Sequence, residues 1–227
     1  MLYINIYYKG AEILKYTHII WDWNGTLLND ISSSLQSVND MLAMRGKDPI
    51  DIDFYRECIG VPIVNFYERV FDLENDDYSL IIKQYNEGYL RHLEHCGLTD
   101  GAVEAIEYFD KIGIKQAVVS SSNNEQLLQN MSKYGVREKF DAVLGSGDFF
   151  AGSKIERAVK YLDENGAEKG AVLVVGDLEH DAEMAAELGA DCVLLTSGHE
   201  HISRLENTGA KLIDNLHELI GIVEDAQ

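Results

Sequence analysis

The hydrophobic pattern of this chain changes rhythm twice. From His18 to Trp21 a short apolar, β-branched run reads as a buried strand. It stops on a carboxylate, Asp22, and passes at once into Asn24-Gly25, a turn signal. After Leu27-Leu28 the apolar positions take helical spacing. Leu35, Val38, Met41 and Leu42 share one face, and Arg45-Gly46 closes the segment. Pro62 opens a second helix whose face is Ile63, Phe66, Tyr67 and Val70. A third helix, about Ser79 to His95, carries Ile82, Tyr85, Tyr89 and Leu93. From near Asp30 to Gly97 no convincing strand interrupts these helices.

From Asp100 helix and strand alternate. Asp100 caps a helix running through Lys111, and a strand follows from Ile114 to Val119, ending in Ser120-Ser121-Ser122-Asn123-Asn124. The next helix carries Leu127, Leu128, Met131 and Tyr134 and closes at Gly135. Asp141 to Leu144 is a short strand, and Ser153 to Asn165 is a helix with Ser153 and Glu156 in a capping box. Ala171 to Val175 is an all-apolar strand ending in Gly176-Asp177, followed by an alanine-rich helix stopped at Gly189. Asp191 to Leu195 and Lys211 to Ile213 complete the strands before a terminal helix. Strands that are apolar throughout, separated by helices, predict a parallel sheet covered on both faces. The fold class is therefore α/β, with residues 1–28 and 98–227 as the core and 29–97 as an inserted helical block.

Composition narrows the partners. The formal net charge of −20 is spread along the chain and disfavours nucleic acid and anionic membranes. A phosphate site here needs a local cation. Cys58, Cys96 and Cys192 are odd in number, lack metal-ligand spacing and fit reduced thiols in a cytoplasmic protein. No apolar run reaches membrane-spanning length. Met1 to Lys15 lacks a signal-peptide layout and reads as a β-hairpin turning at Lys9-Gly10.

Four element ends carry chemically able groups. Asp22 at the end of a buried strand is a candidate nucleophile or metal ligand. Ser120 offers a hydroxyl beside a helix start. Lys154 occupies the first turn of its helix, where the macrodipole favours acids, so a lysine there hints at a job such as bridging a carboxylate and an anion. Asp177 and Asp181 form a carboxylate pair after the fourth strand, hard oxygen ligands that suit Mg²⁺ completed by water and phosphate.

In this order, Asp22-Trp23-Asn24-Gly25-Thr26-Leu27, Ser120, Lys154 and Asp177 with Asp181 resemble the four motifs of the haloacid dehalogenase superfamily of phosphohydrolases, in the subgroup with a helical cap after the first strand. The resemblance runs from His18 to the terminal helix and extends to phosphoglycolate-type phosphatases. It implies a Rossmann-like core, Mg²⁺ held by Asp22, Asp177 and the backbone carbonyl of Asn24, with Asp181 reaching the ion through water. It also implies phosphoryl transfer through an aspartyl-phosphate at Asp22. Ser120 and Lys154 would hold phosphoryl oxygens, helped by the backbone amides of Trp23 and Ser121. The implied substrate is a small phosphorylated metabolite, handled by a monomer or homodimer.

Asn24 departs from the family pattern, which places at that position an aspartate that moves protons to the leaving oxygen. An amide exchanges no proton near neutral pH, and such help is typically worth about 10²–10⁴ in rate. Three readings follow: a substrate with a good leaving group, an acid borrowed from the cap, or a slow or binding-only relative. Dehalogenases need no metal, so the Asp177–Asp181 pair argues against one; phosphonate cleavage would need a cap lysine, and only Lys47 and Lys83 are available. Arg45, Lys47, Arg56 and the Gly60-Val61-Pro62 turn are candidates for closing over the substrate, Arg56 as a phosphate contact. His199 and His201 read as ordinary loop residues.

Overall fold

The computed structural model describes residues 8–9, 12–147 and 153–226. The strands are β1 (Tyr8–Lys9), β2 (Glu12–Ile13), β3 (His18–Trp21), β4 (Leu28–Asn29), β5 (Gly97–Leu98), β6 (Lys115–Asn123), β7 (Ala142–Ser146), β8 (Val172–Gly176), β9 (Asp191–Leu195) and β10 (Lys211–Ile213). The α-helices are α1 (Ile31–Met44), α2 (Ile52–Cys58), α3 (Val64–Val70), α4 (Tyr78–His92), α5 (Ala102–Lys111), α6 (Asn124–Lys133), α7 (Lys154–Glu164), α8 (Glu179–Leu188), α9 (Ile202–Leu205) and α10 (His217–Asp225). β3 lies at the centre of a six-stranded sheet in the order β10-β9-β8-β3-β6-β7. Each pairing in it is parallel, because a helix intervenes before each strand returns.

The continuous apolar strands serve two faces, as the sequence pattern predicts. Ile19 and Trp21 of β3, with Val118, Leu173, Val175 and Val193, pack toward Ile106 and Phe109 of α5 and Leu219 of α10. Ile20, with Ala117, Val119 and Val174, packs toward Ala158 of α7 and Met184 of α8. Ile19, Ile20 and Trp21 are fully buried, each contributing about 2 kcal/mol of apolar transfer. Alternate residues of one strand thus face different helices, so central β3 is fixed from both sides.

Helices α1 to α4 gather around their own cluster, which includes Val38, Met41, Tyr55, Phe66, Tyr67 and Ile81. Gly88 lets α4 approach α1: a Cβ there would lie 2.5 Å from Ser37 Oγ. The chain enters this block through β4 and leaves through β5, which pair antiparallel with Leu28 opposite Leu98 and Asn29 opposite Gly97. Those two strands, and helix α2 with its Asp51 cap, are absent from the sequence-based expectation. Two-residue strands have no periodicity to read, and α2 buries only Tyr55 and Cys58, against Phe66, Tyr67 and Val70 in the equally short α3. The helix expected to run to His95, α4, ends at His92 and passes into a 3₁₀ turn over Leu93–His95. β6 runs beyond Val119 to Asn123, with an irregularity in its pairing across the serines, and Asn123 caps α6 through its side chain. The N-terminal hairpin pairs as expected, Tyr8 with Ile13 and Lys9 with Glu12; Gly10, half of its expected turn, lies outside the described residues.

Candidate active site

Asp22 and Asp177 directly follow the adjacent strands β3 and β8, and Ser120 lies in the carboxyl-terminal half of β6 on the other side of β3, at the edge where open α/β sheets place ligands. The Asp22 amide donates to the carbonyl of Val175, so the loop starts in register with the sheet. The Asp22 carboxylate then accepts from the Trp23 amide at 2.7 Å and from Lys154 Nζ at 3.0 Å.

Lys154 is held where the sequence places it, in the first turn of α7, which Ser153 and Glu156 cap reciprocally. Its ammonium is buried between Asp22 and Asp181, 2.6 Å from the latter. Burial opposes its charge, but the carboxylates of Asp181 and Asp22 outweigh that and hold it well above the ordinary lysine value. Asp181 spends its other oxygen on the amides of Asp177 and Leu178, both at 3.1 Å. It is therefore an orienting carboxylate whose two oxygens are both occupied.

Asp177 is fully buried, with Thr26 donating to one oxygen at 2.9 Å and the His199 amide to the other at 2.7 Å. The surrounding backbone comes unusually close. A Cβ at Gly25, whose φ is +74°, would fall 2.2 Å from Asp177 Oδ2, and one at Gly198 would fall 2.2 Å from Asp177 Cβ. These glycines let two loops clasp the carboxylate.

One oxygen from each of Asp22, Asp177 and Asp181 lies within 4.8 Å of the others. Three buried carboxylates face one lysine, so the cluster carries surplus negative charge. Burial pushes Asp22 up to about 6 against the pull of Lys154, and Asp177 up to about 7 against the pull of His199. Hard oxygen donors with uncompensated charge fit a divalent cation such as Mg²⁺. Asp22 and Asp177 keep acceptor capacity for it.

Ser120 is buried, and its hydroxyl oxygen accepts from the Ser122 amide at 3.1 Å, which leaves the O–H able to donate. Arg157 Nη2 donates to the Ser120 carbonyl at 2.9 Å and steadies that strand end. The Ser121 side chain is exposed. Arg56 does not join the cluster through its side chain as expected. Its Nε and Nη2 donate to the carbonyls of Gly198 (3.1 Å) and Ser197 (2.8 Å), tying α2 to the loop after β9. Arg45 is likewise occupied, by Asp76, and Lys47 by the Val70 carbonyl.

The Asn24 side chain is fully engaged. Its Nδ2 donates to Asp30 at 2.7 Å and to the Tyr89 hydroxyl at 2.8 Å, and its Oδ1 accepts from Ser122 Oγ at 2.7 Å. Asp30 also accepts from the Gly25 amide, the Tyr89 hydroxyl and His199 Nε2. His199 is no ordinary loop residue: it is buried, and its Nδ1 meets the Tyr55 hydroxyl at 3.0 Å. Burial opposes its charge, yet Asp30, followed by Asp177 and Asp22, pushes it up to about 9. His201 instead caps the short α9. Asp30 lies six residues beyond Asn24 and Gly198-His199 follows a strand end, both local signals. Nothing local marks Tyr55 and Tyr89, whose roles exist only once the helical block folds back on the sheet.

Residues 19–195 match the family model of haloacid dehalogenase-like hydrolases. A phosphoglycolate phosphatase of Pseudomonas fluorescens is 24% identical over 219 residues, 92% of this chain and 80% of that protein. One from Rhodobacter capsulatus is 23% identical over 211 residues, covering 91% and 96%. In structure, the chain superposes on a haloacid dehalogenase-like family hydrolase from Streptococcus pneumoniae with a TM-score of 0.80 at 17% identity, over 92% of this chain and 98% of the other. At that identity the superposition speaks for the fold alone.

Proposed function

This chain belongs to the haloacid dehalogenase-like hydrolases, and from that membership we propose that it is a Mg²⁺-dependent phosphatase of small phosphorylated metabolites. Phosphatase names among its relatives support the reaction class, and phosphoglycolate phosphatase is the name that recurs among them. The observation that carries the reading is Asp22 itself. It is a buried strand-end carboxylate, 3.0 Å from Lys154 and within 4.8 Å of two further acids.

Residues 1–28 and 98–227 supply the chemistry, and 29–97 act as a cap over it. Asp22, Asp177 and the carbonyl of Asn24 hold the ion, with Asp181 orienting Lys154 and the loop after β8. When bound, the ion neutralises phosphoryl charge and aligns the phosphorus. An Asp22 oxygen bonds to phosphorus as the bond to the alcohol oxygen breaks. Ser120 and Lys154 donate to the phosphoryl oxygens. The Trp23 amide is already spent on Asp22 and helps by aiming the nucleophile. The leaving oxygen takes its proton from water, because the Asn24 amide has none to give. Water then cleaves the aspartyl-phosphate, releasing phosphate and restoring Asp22. Positioning and charge neutralisation dominate such transfers. Such a metabolite phosphatase would work in the cytoplasm, which suits its three free thiols.

Turnover of p-nitrophenyl phosphate, whose leaving group needs no proton, tests this. Mg²⁺-dependent release that Asp22→Asn abolishes supports it. Tight anion binding without turnover of any ester favours the second reading, a binding-only relative, which the committed amide of Asn24 makes worth testing.

A further inference from the structure

Four donors surround the Asp30 carboxylate: the Asn24 amide and the Tyr89 hydroxyl on one oxygen, the Gly25 amide and His199 on the other. Asp30 itself is almost wholly buried, at 1% exposure. Burial works against its charge, but His199, Tyr89 and Asn24 more than offset that and keep it ionised. Asn24 answers with both of its N–H bonds, one to Asp30 and one to Tyr89, while its oxygen receives the Ser122 hydroxyl. The amide is thus held in one orientation, with nitrogen toward residue 30.

This network is selective about chemistry. A carboxylate at position 24 would set two negative oxygens 2.7 Å apart in place of a donor and an acceptor. An amide at position 30 would turn its NH₂ either toward the Asn24 amide nitrogen, itself a donor, or toward the Gly25 amide and His199, both donors. Each single change breaks the network; exchanging both residues restores it, with a donor at 30 facing an acceptor at 24. Tyr89 tolerates the exchange, since its hydroxyl can donate to one partner and accept from the other.

We propose that Asp30 is a positioning residue of this enzyme. It dictates the amide at position 24 and, through that amide and Tyr89, sets α4 against the nucleophile loop, so that 24 and 30 act as one exchangeable amide–carboxylate pair. The proposal rests on the phosphatase reading for its kinetic meaning, though not for the pairing. Although the family pattern places a proton-moving aspartate at position 24, Asn24→Asp alone is therefore expected to slow turnover.

Four proteins test it: the natural chain, Asn24→Asp, Asp30→Asn and the double variant. Each is assayed with Mg²⁺ on p-nitrophenyl phosphate and glycerol 2-phosphate and followed by thermal unfolding. Each single variant is expected to lose about tenfold in kcat on the aryl ester, with a lowered Tm. The double variant should return to within about threefold of the natural chain, a coupling characteristic of groups in one network. Its alkyl-to-aryl turnover ratio should also rise above that of the natural chain, a change that a purely structural tie would not produce. A single Asn24→Asp variant that keeps or raises kcat and Tm overturns the pairing. So does a double variant no better than the worse single, whereas one that is rescued but whose alkyl-to-aryl ratio stays put reduces the pair to a structural tie and overturns the positioning role. If the natural chain turns over neither ester, the phosphatase reading fails instead, and the four Tm values still decide the pairing.

Discussion

The hydroxyl of Tyr55, on α2 of the helical block, meets Nδ1 of His199, on the loop that follows β9 of the sheet, at 3.0 Å. With Arg56 holding the carbonyls of Ser197 and Gly198, adjacent residues of one short helix fasten that block to the loop clasping Asp177. Tyr55→Phe removes the hydroxyl and leaves a buried imidazole nitrogen without its partner. The expected cost is about 1–3 kcal/mol in stability, read by denaturant unfolding, together with a raised KM for p-nitrophenyl phosphate.

Adding Mg²⁺ should stabilise the protein, and the gain should grow as pH rises from about 5 to about 8. Asp22 and Asp177 hold protons up to about 6 and about 7, and those protons must leave before the carboxylates serve as ligands. Raised carboxylates favour the metal-free fold below their unfolded values, near 4, and that advantage is lost as pH climbs through 6 to 7. Tm measured with Mg²⁺ and with chelator at each pH checks this, and Asp177→Asn should flatten the difference.

Lys154→Met leaves three buried carboxylates with no lysine among them. A loss of about 3–5 kcal/mol is expected in chelator, partly recovered by Mg²⁺, with turnover abolished under both conditions. Lys154→Arg should fail to rescue turnover. Its planar fork does not reproduce a point charge set 2.6 Å and 3.0 Å from two carboxylates.

Gly198→Ala drives a methyl group to 2.2 Å from Asp177 Cβ and must move that carboxylate. A displacement of this kind is expected to cost on the order of 10²-fold in kcat/KM and to weaken Mg²⁺ affinity, measured by titration calorimetry.

His18, at the start of β3, reports on the fold away from the site. Burial lowers its pKa, Lys115 adds to the lowering, and Asp141 only partly opposes them. The folded chain therefore keeps this imidazole neutral after the unfolded chain has taken a proton. Its contribution is intact above about pH 6.5 and is lost as pH falls through the depressed folded value. Replacement by Gln should lessen the loss of Tm between about pH 6.5 and 5.

The candidate cluster is legible in the sequence because its members sit at or just beyond apolar strands that declare themselves. Asp22, Asp177 and Ser120 each follow an apolar run, and the capping box around Ser153 marks the helix that presents Lys154. Asp181 came with Asp177, one helical turn further on. What stayed hidden depends on contacts between distant segments. Tyr89 and Asn24 are 65 positions apart, Tyr55 and His199 are 144 apart, and no periodicity within either segment encodes the meeting. Arg56 reads in the sequence as a candidate for closing over the substrate; its Nε and Nη2 are taken by the carbonyls of Gly198 and Ser197, partners 142 and 141 positions away. β4 and β5 were missed for the plainer reason that a pair of two-residue strands has no pattern to read.

That small pairing has an engineering consequence. Asn29 and Gly97 are direct antiparallel partners, so their Cα atoms stand only about 5 Å apart. A tight turn of a few residues could span that gap, and a foreign insert with similarly adjacent ends could be grafted there. Ligand preference should then travel with the transplanted segment, while the carboxyl edge of the sheet goes on performing the same reaction.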